Sequence, residues 1–360
     1  MARACHSSAL GAVAFLLFGF SVFILAQSSQ SQSRSDSAKP LQYIGVNIAS
    51  GTFAADKLPG EMFENYVYPE NSTIDYFSSK GMNIIRLAAL WERLQYQLMS
   101  PLHEPDMEKI DAIVGYARSK GMKTIIDVHN YAKYKGSVIG TRNLPPQALA
   151  DLWRRISLRY KDNDHVVFGL MNEPTGLPTE TWLKATNLAI KSIRRIGAKN
   201  LILVPGNGYS SARDWLKSQY GTPNSEVMLG VVDPGKNWML EVHQYFNRDF
   251  TGTTSDCQSI DVAISTLTPF TLWARKNRQR GFLGEFGVGR DPVCLEVLDR
   301  VLTFMQANRD VWAGWAYWAA GPWWAKDYFT DIEPVDGKDR PQMAILERYI
   351  KTAGSRPRSQ

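Results

Sequence analysis

The feature that most limits how this chain can fold is an alternation that starts at Tyr43 and continues almost to its end. Short apolar or β-branched runs give way to longer stretches with helical spacing, the pattern of repeated βα units. The strand-like runs are Tyr43–Ile48, Asn83–Leu87, Lys123–Val128, Val166–Leu170, Leu201–Val204, Leu240–Val242, Gly281–Leu283 and Gly314–Trp318. Helix-like stretches between them include Asp106–Lys120, Pro146–Tyr160, Thr179–Ile196, Ile260–Arg278 and Leu295–Asn308, the first and third closed by Gly121 and Gly197. Strands and helical crossovers in this number and length predict an α/β chain folded as a single (β/α)8 TIM barrel. A doubly wound open sheet would need a glycine-rich phosphate loop after its first strand, and "GVNIASG" (Gly45 to Gly51) does not supply one.

The flanks of this pattern read differently. Residues 1–26 carry an uncharged apolar run from Leu10 to Ala26, expected to be an export signal cut after Ala26, with a retained membrane anchor as the alternative. Residues 27–40 are Ser/Gln-rich and cannot build a core, so the barrel should span 41–353 with a short tail at 354–360. Beyond Cys5 in the signal, only Cys257 and Cys294 remain, an even pair that should form a disulfide in an exported protein. The net charge of +6 is spread along the chain. Its densest basic run, Arg275 to Arg280, reads as a solvated helix face, so no nucleic-acid partner is expected. A secreted protein without stable membrane contact after signal cleavage follows from these readings, and a monomer is expected.

The C-terminal ends of the predicted strands hold most of the unusual residues. They are Asn47, Arg86, His129 with Asn130, Asn172 with Glu173, Asn207 shortly after the fifth, His243 with Tyr245, Glu285, and Trp318. In a barrel those ends form one rim, where active sites sit, so Glu173 and Glu285 become a candidate carboxylate pair despite their separation in sequence. Taken singly, each residue reads as an ordinary buried hydrogen-bonding group. Their convergence is what points to chemistry. A metal would need ligands from four strands without an HExxH, paired-His or Cys cluster, and a serine nucleophile would need a GxSxG elbow. Neither pattern is present in the sequence, so no metal and no cofactor are expected.

The segments "GVNIASG", "NIIRLAALWERLQ", "IIDVHNYAKY", "FGLMNEP", "LVPGNGYS", "EVHQYF", "FLGEFGVG" and "GWAYWAAGPWW" resemble, in order, the signature of family 5 glycoside hydrolases. The likeness is greatest to the secreted endo-β-1,4-glucanase (cellulase) branch and extends from Tyr43 to the C-terminal helix. One departure is Thr175 after "NEP", where many relatives carry His. The resemblance implies hydrolysis of β-glucan with Glu173 as general acid/base and Glu285 as nucleophile. It implies too that Asn172 binds the 2-hydroxyl of the sugar before the cut, and that His129 and His243 position that sugar and the carboxyls.

Arg86 and Tyr245 share the rim with Glu285 and can hold it ionised, while Asn47 and Asn130 complete the supporting set. Trp318 is expected as a flat sugar platform, with Trp323 or Trp324 beside it, and Trp312 and Trp315 as packing. Tyr134, Tyr209 and Trp238 are weaker platform candidates. Other substrates sharing the machinery are β-mannan and mixed-linkage glucan. A non-catalytic carbohydrate-binding barrel is the reading from another class, and it has no need of both glutamates with Arg86, Asn172 and Tyr245. No cellulose-binding module is visible, which favours soluble or amorphous glucan.

Overall fold

The computed structural model describes residues 41–353, with side chains to Ile350; the expected signal (1–26), leader (27–40) and tail (354–360) lie outside the described residues. Runs such as "YIGVNI" and "KTIIDV" are buried on both faces, as strands must be when helices cover a parallel sheet. Eight of them close into a barrel: β1 (Tyr43–Ile48), β2 (Ile84–Ala89), β3 (Lys123–Val128), β4 (Val166–Gly169), β5 (Ile202–Pro205), β6 (Trp238–His243), β7 (Gly281–Phe286) and β8 (Trp312–Ala320). Each neighbouring pair is parallel, and β8 closes onto β1.

After each strand the chain returns along the outside as a helix. These are α1 (Asn71–Ser79), α2 (Glu104–Ser119), α3 (Pro146–Tyr160), α4 (Thr179–Arg195), the single turn α5 (Asn224–Val227), α6 (Ile260–Lys276), α7 (Pro292–Ala307) and α8 (Pro341–Ala353). Their starts follow local chemistry. Proline opens α3 and α7, where its missing N–H costs nothing, and the Asp291 carboxylate accepts from the Cys294 N–H at 3.0 Å to cap α7. The basic run Arg275 to Arg280 lies exposed or half-exposed at the end of α6, with Arg275 paired to Asp310 at 2.6 Å.

Four strands are longer than the local apolar runs suggest, because parallel pairing sets their ends. Trp238 pairs with Ile202 and Met239 with Leu203, which starts β6 two residues before Leu240. Trp238 therefore stands at the N-terminal end of its strand, away from the rim where a sugar platform was expected. Cys257 and Cys294 form the disulfide, with Cα atoms 5.3 Å apart, tying the β6–α6 loop to the start of α7. Closing a loop of that 37-residue separation contributes about 4 kcal/mol in the chain-entropy model. No helix among the described residues is long and apolar enough to cross a membrane.

Candidate active site

Side chains alternate along a strand, so residues two apart share the barrel interior. The lower interior is an apolar plug of Ile84, Ile125, Val167, Leu203, Met239 and Phe282. Two residues further along the same strands come Arg86 on β2, Asp127 on β3 and Glu241 on β6, all fully buried. Two further again, at the mouth, come His129 and His243. On β7 the register shifts so that Glu285 rather than Gly284 pairs with His243. Gly284 is needed there because a Cβ at that position would lie 2.2 Å from Glu241 Oε1.

Arg86 organises the charged layer. Its Nε donates to Glu241 Oε1 at 2.8 Å, Nη1 to Glu285 Oε1 at 2.8 Å and Asn47 Oδ1 at 2.9 Å, and Nη2 to Asn172 Oδ1 at 2.8 Å. Nη2 also lies 3.1 Å from Asp127 Oδ1. Asn47 donates onward to the carbonyls of Gly284 and Ala316, stitching β1 to β7 and β8. Burial alone would make the guanidinium easier to deprotonate, but Asp127, Glu241 and Glu285 together hold it firmly charged. Burial likewise opposes the ionised Asp127, yet Arg86 and His129 pull it below the usual carboxylate range.

A hydrogen-bond chain fixes His129. The Asp127 carboxylate accepts from Nδ1 at 2.7 Å, so Nε2 is left to accept from the Asn172 amide at 3.1 Å. The ring lies nearly parallel to Trp318, with centroids 5.7 Å apart.

The two glutamates meet at the mouth. With His243 between them, the facing atoms of Glu173, His243 and Glu285 all lie within 4.8 Å of one another. Glu285 is clamped by Arg86 and by the Tyr245 hydroxyl, which donates to Oε2 at 3.1 Å. Gly252 lies flat against the Tyr245 ring; a Cβ there would come within 2.5 Å of it. Glu173 bonds His243 Nδ1 at 2.8 Å and holds a left-handed φ of 44°, a strained position for a residue with a side chain. Burial, then the nearby charge of Glu285, raises the Glu173 carboxyl above its ordinary range, against the opposing pull of His243. His243 is carried up to about 10: burial works against its charge, and Glu285, Glu173 and Glu241 outweigh it. Glu173, His243 and Glu285 are residue types that bind metals, but here Glu173 is hydrogen-bonded to His243 and Glu285 to Arg86 and Tyr245, an arrangement suited to proton transfer.

A cleft of about 630 Å³ opens over this pair. Glu173, Glu285, His129, His243, Tyr245 and Trp318 line it, as expected for the rim, together with Tyr209, which is half-exposed. The other expected residues stand elsewhere. Arg86, Asn47 and Asn172 are fully buried and stand outside the cleft lining, and Arg86 and Asn47 act on it through the residues above them. Asn130 is a loop brace, accepting from the Trp91 N–H at 2.5 Å and donating to Glu92 at 2.7 Å. Tyr134 is buried and donates to the Gln95 carbonyl, and Asn207 donates to the Leu177 carbonyl. Trp324 stacks on Tyr328 at 4.3 Å and abuts Trp318 edge-on, while Trp323 is 48% exposed; neither lines the cleft. Trp312 and Trp315 are fully buried, as packing requires. Thr175 is buried and donates to the Tyr220 hydroxyl at 2.9 Å.

Sequence reasoning passed over Asp127, Glu241, Tyr131 and Tyr328. The first two carried a usable signal, since each lies two residues before a rim histidine and so on the same inward face. Tyr131 and Tyr328 line the cleft from loops, where no periodicity marks them.

Comparison with known proteins places this geometry in a family. The family model described as Cellulase (glycosyl hydrolase family 5) matches residues 37–321. Endo-β-1,4-glucanase B of Aspergillus niger is 32% identical over 315 residues, covering 87% of this chain and 92% of its own. Among solved structures, XacCel5A in complex with cellopentaose is 47% identical with a TM-score of 0.84, covering 86% of this chain and 99% of its own. Endoglucanase Cel5A of Pseudomonas stutzeri in complex with cellobiose is 32% identical with a TM-score of 0.81, covering 88% and 95%.

Proposed function

The chain belongs to glycosyl hydrolase family 5, and from that premise we propose that it is a secreted, retaining endo-β-1,4-glucanase. The observation that carries the mechanism is the carboxyl pair of unequal environment, close enough for facing atoms to lie within 4.8 Å. Carboxyl groups about 5–5.5 Å apart leave no room for a water between them, so the second must itself attack the sugar. Arg86 and Tyr245 donate to Glu285 and orient it, which suits the nucleophile. Glu173, whose proton is held by burial, suits the acid.

In the first step Glu285 Oε2 bonds to the anomeric carbon as the glycosidic bond breaks and Glu173 protonates the departing oxygen. Glu173, now a carboxylate, then takes a proton from water as the water displaces Glu285. Asn172 keeps one amide hydrogen beyond the one given to His129, the donor assigned to the sugar 2-hydroxyl. Trp318, braced by its Nε1–H to the Tyr328 hydroxyl at 3.0 Å, offers its face to the same ring. The disulfide supports a location outside the reducing cytosol.

One screen tests substrate and stereochemistry together. Fresh enzyme is offered carboxymethyl-cellulose, barley β-glucan, mannan and xylan, and proton NMR follows the first products. Viscosity of carboxymethyl-cellulose should fall before much reducing sugar accumulates, and the first-formed anomer should be β. Preferential release from mannan would move the substrate assignment, and an α-anomer would end the double-displacement assignment.

A further inference from the structure

Glu241 takes no part in the double displacement, yet it is as completely enclosed beside it as Asp127. Its side chain is fully buried and its Oε1 accepts from Arg86 Nε at 2.8 Å. Oε2 has no hydrogen-bond partner, and neither does Nε2 of His243, which lies 3.6 Å from Glu241 Oε1. The space for this carboxylate exists only because Gly284 lacks a Cβ.

The groups that face His243 come from every neighbouring element: Arg86 on β2, Asp127 and His129 from β3, Glu173 after β4, Glu241 on β6, Tyr245 beyond it, and Glu285 on β7. Among them, three carboxylates, Asp127, Glu241 and Glu285, share the single guanidinium of Arg86. That excess of negative charge must be met by something, and His243 is the group placed to meet it.

We propose that Glu241 is a positioning residue whose carboxylate, held inside the barrel by Arg86, faces Nε2 of His243 and keeps that ring doubly protonated throughout the cycle. The inference rests on the glucanase reading for its purpose. Glu173 must be a carboxylic acid in the first step and a carboxylate in the second. A neutral His243 bearing its proton on Nε2 would present a bare Nδ1 at 2.8 Å from Glu173 and could take the very proton the leaving group needs. An imidazolium cannot. Its Nδ1–H donates to Glu173 in either state, so the acid keeps its own proton until the leaving oxygen takes it. The raised proton affinity of His243, up to about 10, agrees with this arrangement.

The test reads the ring directly. The chain has five histidines, so 15N-histidine labelling gives a tractable imidazole spectrum, with His243 identified by its loss in His243→Gln. In the wild type both His243 nitrogens should stay protonated from pH 5.5 to 8. In Glu241→Gln, which keeps the shape and the acceptor for Arg86, the ring should lose its proton at least about one pH unit lower. kcat on cellulosic substrate should fall about tenfold or more with little change in KM, and activated aryl glycosides, which need no acid, should be spared. A neutral His243 in the wild type at pH 7, or an unmoved titration in Glu241→Gln, would overturn the proposal. Should that variant fail to fold, the wild-type spectrum alone decides. The spectrum needs no turnover, so a chain that hydrolyses no β-glucan would sink the functional reading while leaving the ring assignment to its own result.

Discussion

The two ends of the barrel interior are made by the same strands and differ in everything but backbone. At one level Ile84, Ile125 and Met239 pack as an apolar plug; two residues on, Arg86, Asp127 and Glu241 crowd charges into equally complete burial. Each plug side chain stabilises the fold by about 1.5–3 kcal/mol through area removed from water. The charged level has no such assured gain, because desolvating several ions can cost as much as their mutual attraction returns. The difference shows that the strand scaffold is held together from below. The upper level spends part of that stability to hold Glu173 and Glu285 in unlike environments.

If that division holds, substitutions at the two levels must separate activity from stability. The largest effect should come from the mouth. Glu285→Ala removes the group that bonds the anomeric carbon, and turnover of carboxymethyl-cellulose should fall to background. Added azide should restore reaction of activated aryl glycosides and give the α-glycosyl azide. A β-azide, or substantial residual hydrolysis, would mean the nucleophile is misassigned.

The next effect tests the charged level. Arg86→Met keeps volume but leaves Asp127, Glu241 and Glu285 without their shared cation, and removing one partner of a buried ionic cluster typically costs about 3–5 kcal/mol. The guanidinium chloride midpoint should drop accordingly, and activity should be lost with it. By contrast, Ile125→Val in the plug should cost about 0.5–1.5 kcal/mol while kcat, KM and the pH profile stay as they were. An altered pH profile in that variant would show the two levels to be coupled rather than stacked.

The same contrast explains what could be read from the residues alone. The eight strands, the glutamate pair and the cysteine pair were legible because each depends on local pattern or on a fold-wide rule about strand ends. Asp127 and Glu241 were not, although "IIDVHN" and "EVHQYF" contain them. Their meaning lies in Arg86, which is 155 residues from Glu241, and an acid inside a strand has no role until its counter-ion is placed. Asn130 misled for the opposite reason. It stands beside a true rim residue, but period two turns it away from the mouth, and its amide braces Trp91 and Glu92. Trp238 shows the third kind of failure, in which pairing with Ile202 extends a strand backwards and carries an aromatic to the wrong end.

The smallest prediction is also the one whose sign is least intuitive. Glu173→Gln removes the acid, so activity on unactivated glucan should fall about 10²–10⁴-fold, but its effect on stability should be a gain. Burial, with the charge of Glu285, raises the Glu173 carboxyl in the folded chain, so the folded state binds its proton more tightly than the unfolded chain does. Folding stability therefore falls as pH rises from the unfolded carboxyl value, about 4.3, to the folded one, and stays level above it. Glutamine has no proton to lose. The variant should match the wild type below the unfolded value and pull ahead through that window. At neutral pH it should remain slightly the more stable, by under about 1 kcal/mol because the bond to His243 offsets part of the burial penalty. Chemical denaturation at pH 4 and pH 7 checks this, since the difference between the two chains must grow with pH. A constant difference, or a less stable glutamine variant at neutral pH, would show that the acid is not held against its own ionisation, and that the two glutamates are less unlike than their surroundings make them.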